Sequence, residues 1–254
     1  ILFGKGIIWL ILIFIIESLI NIIIIILNYK KAGFRLKDWN FKVDLAKKMI
    51  IRAWFLALAS AASYIFLRID QVMIRNFLDE TSVGLYAAAI KLVEIWYFIP
   101  GIICSSLFPA IMNAKKIDEK RYKNRLKNLY LLLGGLAVVI AIPISILAPW
   151  IIKFLFGSAY INSVGILKIY AWSGVGFFLN VGFYQYFLAE NRLKSIFYFY
   201  LILMILNIFL NYNLIPRFGL NGAAWATMIS YLTGIVIFIN LKYFYLKEQN
   251  NIQI

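Results

Sequence analysis

The sequence lacks histidine altogether and has a single cysteine, Cys104, among its 254 residues. Without histidine, histidine-based acid–base catalysis and the usual zinc sites are excluded, and one cysteine cannot form a disulfide within the chain. The catalytic patterns GxSxG and HExxH, a Gly-rich phosphate loop and paired carboxylates at a membrane surface are missing too. These absences predict a protein that is not an enzyme and that carries no cofactor or metal.

Charged residues are also scarce, at 15% of the chain, whereas 63% of residues are hydrophobic and the mean hydropathy is +0.85. The apolar residues form long continuous runs, such as 7–16 and 201–210. A helix needs roughly 20 mostly apolar residues to cross about 30 Å of hydrocarbon, whereas a barrel strand alternates over about ten. The sequence therefore predicts an all-α polytopic membrane protein.

Seven membrane-spanning helices are predicted from these runs. Their approximate bounds are 6–27, 49–74, 83–112, 129–147, 164–188, 195–212 and 222–241. The third is long for one crossing, which indicates tilt or an interfacial extension. The longest polar segment, 28–48, separates the first span from the other six, and we predict a boundary between two units there.

Basic residues are concentrated on one predicted side of the membrane, with eighteen on that side and five on the other. They lie in the connections 28–48 and 113–128, in the turn at Asn191 and in the tail. Because basic connections stay in the cytoplasm, this side and the C-terminus are predicted to be cytoplasmic. Topology and contact with anionic lipid then explain the net charge of +15 without nucleic acid. Residue 1 would lie outside, so a chain that began in the cytoplasm would need an odd number of further spans before it.

Two charged residues, Lys91 and Glu94, lie within the third predicted span. They are three positions apart and share a helix face. Charged side chains at membrane depth usually face a protein interior or a water-filled cavity. Two interpretations follow: a pair that neutralises itself, or a cavity site in which Lys91 meets an anion and Glu94 holds a cation or proton. Pro100 and Gly101, later in the same span, permit a bend.

Further charged residues are candidates for the same site. Arg68 and Asp70 are close to the outer end of the second span, where they either sit at the interface or line an outer vestibule. Arg52, near the cytoplasmic end of that span, either reaches the interface or faces an inner vestibule. Lys168 is a lone basic residue in the fifth span, and Glu17 is an acidic residue in the first.

Four segments carry a resemblance to a known family. In chain order they are DQVMIRNFLDETSVGLYAAAIKLVEIWYFIP, APWIIKFLFGSAY, YFLAENRLK and NLIPRFGLNGAAWATMIS. Over about residues 45–241, the sequence resembles the Wzx-type O-antigen and repeat-unit polysaccharide flippases of the MOP superfamily. Each segment alone is weakly specific, and the four in this order are more specific to the superfamily than to a substrate.

The resemblance implies two six-helix lobes around a central cavity that opens alternately to either side. Residues 1–27 would be the last helix of an N-terminal lobe, 28–48 a cytoplasmic connection, 49–241 a six-helix C-terminal lobe and 242–254 a cytoplasmic tail. The implied function is transport of undecaprenyl-pyrophosphate-linked oligosaccharide across the bacterial inner membrane. It would be coupled to protons or sodium rather than to ATP, with polysaccharide polymerases as candidate partners.

An anionic pyrophosphate gives the candidate residues roles, because fixed positive charge stabilises it in a medium of low dielectric constant. Positive charge from this lobe would come from Lys91 together with Arg68, Arg52 or Lys168. The field would be tuned, or the coupling ion carried, by Glu94, Asp70 or Glu17.

Three alternatives stay open. A multidrug or lipid II exporter of the same superfamily would have a differently charged cavity. A membrane-embedded glycosyltransferase or polymerase would need a large catalytic outer loop, and the predicted outer connections at 75–82, 148–163 and 213–221 are too short for one. A structural assembly subunit would place Lys91 and Glu94 against a partner helix.

Overall fold

The computed structural model describes residues 7–35 and 40–252, and its regular elements in these ranges are all helical. Lys5, Lys37 and Trp39 lie outside the described residues, as does the side chain of Arg52. The α-helices are α1 (Ile7–Lys31), α2 (Val43–Phe77), α3 (Glu80–Glu94), α4 (Phe98–Ile117), α5 (Glu119–Phe156), α6 (Ser163–Ala189) and α7 (Leu193–Ile252). Short 3₁₀ turns follow α3, at Ile95–Tyr97, and α5, at Ser158–Tyr160. The predicted all-α class is confirmed.

Six helical stretches of the described chain are long and apolar enough to cross a membrane. The last of them, Leu193–Tyr243, has 51 residues, more than twice what one crossing needs. It is interrupted at Gly219, whose φ of 56° and ψ of −137° are not helical. The sixth and seventh predicted spans therefore correspond to two segments of α7, 193–218 and 220–252, joined at this glycine.

Pro100 was predicted to permit a bend in the third span, and the helix changes to 3₁₀ geometry just before it, which has a local cause. A proline at position 100 cannot donate a backbone hydrogen bond to the carbonyl of residue 96, and its ring crowds that carbonyl. The chain forms the 3₁₀ turn Ile95–Tyr97 just before Pro100, and this turn separates α3 from α4. Two aspartates begin helices nearby: Asp79 caps α3 by accepting from the Ser82 amide, and Asp118 caps α5.

The chain divides into two compact units, residues 1–52 and residues 53–254, with the boundary inside α2. The first unit contains α1, whose described apolar side chains, such as Phe14 and Ile25, are exposed. Such a surface is suited to hydrocarbon or to other apolar helices rather than to water. The second unit contains the rest of the chain and has its own core.

Helix α6 lies at the centre of the second unit and contacts α3, α4, α5 and α7. A helix that is apolar on all sides is suited to such a position. One part of the core joins Phe183 to Phe238, whose rings stack at 4.0 Å, and another surrounds Tyr86 and Tyr170. Glycines let α6 approach its neighbours closely, because a Cβ at Gly176 would lie 2.6 Å from the Cβ of Tyr231.

We predict that Gly176→Ala destabilises the protein by about 1–3 kcal/mol, because the added methyl overlaps the Tyr231 backbone. The matched control is Gly101→Ala, where a Cβ meets no atom within 4 Å. This control should be neutral or stabilising by up to about 1 kcal/mol through helix propensity. Thermal unfolding of both variants in detergent tests the prediction, and equal shifts in Tm would contradict the packing argument.

Candidate functional site

The candidate site lies between α2 and α3, which are joined by the short connection at Leu78 and Asp79. The tight connection makes the two helices antiparallel neighbours, so residues late in α2 face residues in α3. Two side-chain contacts cross this interface, from Arg68 to Glu94 and from Asp70 to Tyr86. The structure thus brings together three of the charged residues predicted from the sequence.

Glu94 forms its ion pair with Arg68 on the neighbouring helix. The Arg68 Nη1 atom lies 3.2 Å from Glu94 Oε1 and 3.5 Å from Oε2. The Glu94 side chain is 18% exposed and that of Arg68 is 43% exposed. Lys91 is exposed and forms no ion pair with any side chain in the described ranges. The interpretation in which Lys91 and Glu94 neutralise each other is therefore wrong, because Arg68 takes that role.

Asp70 is almost completely buried, at 1% exposure. Its Oδ2 accepts a hydrogen bond of 2.6 Å from the Tyr86 hydroxyl, and its Oδ1 accepts one of 2.7 Å from the Gln71 amide. These donors compensate for part of the cost of removing a carboxyl group from water. At this burial Asp70 packs inside the bundle and does not reach solvent, so it is not a snorkelling side chain; its depth in the membrane stays a prediction.

Among the other predicted site residues, only Lys168 can be compared with this group. Lys168 is exposed on α6, and the structure records no side-chain contact from it to Arg68, Asp70 or Glu94 in the described ranges. Glu17 is exposed on α1, in the other compact unit. The Arg52 side chain lies outside the described residues.

Two buried polar residues, Asn207 and Asn211, were not predicted from the sequence, where charged residues were the main candidates. Asn207 and Asn211 are fully buried in α7, where the Asn211 Nδ2 atom donates to Asn207 Oδ1 at 2.9 Å. Among the described residues, the Asn211 Oδ1 and Asn180 Oδ1 atoms have no hydrogen-bond donor. The spacing of four between the two asparagines, in an otherwise apolar run, was the available signal. Buried amide oxygens without donors can accept a hydrogen bond or bind a hard cation.

Residues 3–253 match the family described as "Lipid II flippase MurJ". The chain belongs to this family. The match covers nearly the whole sequence, including every described residue of α2 and α3.

Two curated relatives of this MurJ-family chain come from Haloferax volcanii. The probable flippase AglR is 26% identical over 66% of this chain and 36% of its own length. The probable low-salt glycan biosynthesis flippase Agl15 is 24% identical over 85% of this chain and 47% of its own length. The chain therefore spans between about a third and a half of the relatives that it matches.

Solved structures show the same fold. A multidrug resistance MATE family transporter of the MOP superfamily, in an outward-facing conformation, has a TM-score of 0.64 at 18% identity, over 76% of this chain and 44% of that one. The lipid II flippase MurJ in an inward closed conformation gives the same TM-score and identity, over 81% and 45%. The predicted MOP-type fold is confirmed, and the predicted Wzx-type O-antigen specificity stays a prediction.

We predict that Tyr86→Phe destabilises the protein by about 1–3 kcal/mol, because it removes a donor from a buried carboxyl group. The loss should be smaller when Asp70 is first replaced by Asn, since an unpaired amide costs less to bury than an unpaired carboxylate. A double-mutant cycle on thermal unfolding measures this coupling. Tyr64→Phe, at an exposed tyrosine of α2, is the control. A coupling energy of zero between Tyr86 and Asp70 would contradict the role of Tyr86 as a donor to the Asp70 carboxylate.

Proposed function

We propose that the protein containing this chain is a flippase that moves a polyprenyl-pyrophosphate-linked glycan across a membrane by alternating access. Membership of a lipid II flippase family and the glycan flippase relatives support this class of substrate. Within the class, an undecaprenyl-linked repeat unit of the O-antigen kind is the finer proposal, supported by the four sequence segments given above. Catalytic chemistry forms no part of the proposal.

The observation that carries the proposal is an exposed cation, Lys91, that has no ion-pair partner in the described ranges and lies beside the Arg68–Glu94 ion pair. Arg68 is held by Glu94, and Lys91 lies one helical turn from Glu94 on α3. Lys91 has no described acidic partner, and an ammonium group facing hydrocarbon would be costly. We therefore place Lys91 in a water-filled path, where it meets the pyrophosphate of the substrate.

The proposed architecture follows the two-lobe template. Residues 49–241 would form a C-terminal lobe, 1–27 the last helix of the other lobe and 28–48 their connection. Lys115 at the end of α4 pairs with Glu190 just beyond α6, so these two helix ends lie at the same end of the second unit. This contact supports one membrane side for the basic residues that flank them. The positive-inside rule then puts this end and the C-terminus in the cytoplasm, with the protein in the plasma membrane.

Coupling to a cation gradient is proposed to pass through Asp70. A carboxyl group that is 1% exposed responds strongly to a proton or a sodium ion, since either neutralises a charge that is costly to bury. Its partner Tyr86 belongs to the same helix as Glu94 and Lys91, so a change at Asp70 reaches the proposed anion site through α3. Glu94 and Glu17 are the other carboxylates proposed for this role.

We predict that Lys91→Ala lowers transport of lipid-linked glycan at least tenfold, because one of the two cations is lost. Lys91→Arg should keep part of the activity, since it preserves the charge. The measurement uses the full-length protein in proteoliposomes and follows fluorescent lipid II and a fluorescent polyprenyl-pyrophosphate-linked repeat unit between leaflets. Lys153→Ala, at an exposed basic residue of α5, is the control with the same change in charge.

The same vesicles test the flippase proposal as a whole. A neutral glycolipid without pyrophosphate should cross no faster than in protein-free vesicles, and a cationic drug should not be exported. Preference for the drug would favour a multidrug exporter of the same superfamily. If no lipid-linked glycan crosses faster than in protein-free vesicles, a structural assembly role replaces the flippase.

We further predict that Asp70→Asn uncouples transport from the cation gradient. The amide still accepts the Tyr86 hydrogen bond but bears no charge for a proton or sodium ion to neutralise. Transport driven by an imposed sodium or proton gradient should fall to the rate without a gradient, while exchange at equilibrium persists. Glu80→Gln, which removes an exposed carboxylate from the start of α3, is the control. An unchanged response to both gradients in Asp70→Asn would exclude Asp70 as the coupling group.

A further inference from the structure

A cavity of about 820 Å³ opens at the basic end of the second compact unit. Its walls come from the end of α4, the first half of α5, the second half of α6 and residue 242 of α7. No residue of α2 or α3 lines it, so Arg68, Lys91 and Glu94 take no part. The cavity is therefore a feature separate from the proposed transport site.

Lysines outnumber glutamates on the cavity wall by four to two. Lys115 is paired with Glu190 at 2.9 Å, and Lys123 is paired with Glu119 at 2.6 Å. The two remaining lysines, 127 and 242, pair with no carboxylate in the described part of the chain. The positive end of the cavity is thus incompletely neutralised, and its surplus charge suits one phosphate group.

The cavity also has an apolar end, which extends towards the middle of α5. Its lining on α5 runs from Glu119 to Gly135, about 24 Å at 1.5 Å per residue. Leu131, Leu179 and Gly134 form the part farthest from the lysines along the helices. A Cβ at Gly135 would meet no atom within 4 Å, so this stretch of wall is open. Charge at one end and an apolar channel at the other match an amphipathic ligand.

We propose that this cavity binds one anionic phospholipid from the adjoining leaflet, with its phosphate at Lys127 and Lys242 and an acyl chain along the apolar end. Basic pockets between transmembrane helices recognise anionic head groups in this way. A free anion would use only the charged end. Beyond the lysines the wall is made mainly of leucine and glycine with Tyr130, a surface suited to an acyl chain. Because tyrosine can also contact sugars, the test includes a polyprenyl phosphate as a competitor.

The test is photocrosslinking in the full-length protein, reconstituted in nanodiscs of phosphatidylcholine. The probe is phosphatidylglycerol with a diazirine near the end of one acyl chain, and peptide mass spectrometry locates the adducts. We expect adducts on residues 126–135 of α5 or on the facing part of α6. Unlabelled phosphatidylglycerol should compete at least tenfold better than phosphatidylcholine, because only the former has a net negative charge.

Two kinds of variant distinguish the contribution of the cavity lysines from that of its apolar end. Lys127→Gln with Lys242→Gln should weaken competition by phosphatidylglycerol by about thirtyfold, from the expected contribution of each lysine to binding an anionic head group. Lys116→Gln with Lys120→Gln removes the same charge from exposed lysines at the same end that do not line the cavity, and should have little effect. Gly135→Leu should block the apolar end and lower adduct yield severalfold, whereas Gly101→Leu, equally open but on α4, should not.

Several results would overturn the proposal. Equal competition by the two phospholipids would exclude a site for anionic lipid. Equal loss of competition in the Lys127/Lys242 double variant and in the Lys116/Lys120 control would exclude it as well. If polyprenyl phosphate displaces the probe tenfold better than phosphatidylglycerol, the cavity belongs to the transported substrate. If millimolar inorganic phosphate displaces the probe fully, the site binds free anions. Because binding is measured without transport, failure here leaves the flippase proposal untouched.

Discussion

The structure of the second unit depends on one constraint: a charged or polar group inside a membrane-spanning helix must find a partner in the bundle. Asp70 meets this requirement through Tyr86, and Glu94 through Arg68. Both contacts join α2 to α3, on either side of the same short connection. Because both depend on the same alignment, a sliding of α3 along α2 would leave two carboxylates unpaired at once. Polar contacts thus fix a register that apolar packing alone would specify weakly.

This register determines where the rest of α3 meets α6, the central helix. The Ser163 hydroxyl donates to the Leu85 carbonyl at 2.8 Å, and the rings of Tyr97 and Phe177 stack at 3.7 Å. The first contact is at the start of α6, and the second is half a helix further on, where Tyr97 is the last residue of the 3₁₀ turn before Pro100. Helix α3 is therefore held at both ends, while Lys91 between them remains exposed. On the proposed function, Lys91 would thus be positioned by contacts at either side of it along the chain, as electrostatic stabilisation of a moving anion requires.

Composition and the long apolar runs were enough to predict the all-helical fold, and Pro100 marked the stretch where the third span departs from a regular α-helix. Which side chain pairs with a given charged residue could not be predicted from the sequence, and Glu94 is an example. Helical periodicity correctly put Lys91 and Glu94 on one face, but it carries no information about which side chain a neighbouring helix presents. The planar guanidinium group of Arg68 has several N–H donors, and it lies across the α2–α3 interface from Glu94. The burial of Asp70 depended in the same way on a contact 16 residues away in the chain.

On the proposed function, the pairing of Arg68 with Glu94 also limits how tightly the site holds an anion. Transport requires binding that is favourable enough for entry and weak enough for exit, as in ion channels. Two unpaired cations at membrane depth would trap a pyrophosphate, because charge interactions strengthen as the dielectric constant falls. Glu94 offsets part of this attraction and leaves Lys91 as the less compensated cation. A carboxylate beside the cations is therefore consistent with an anion carrier, since it favours release as well as capture.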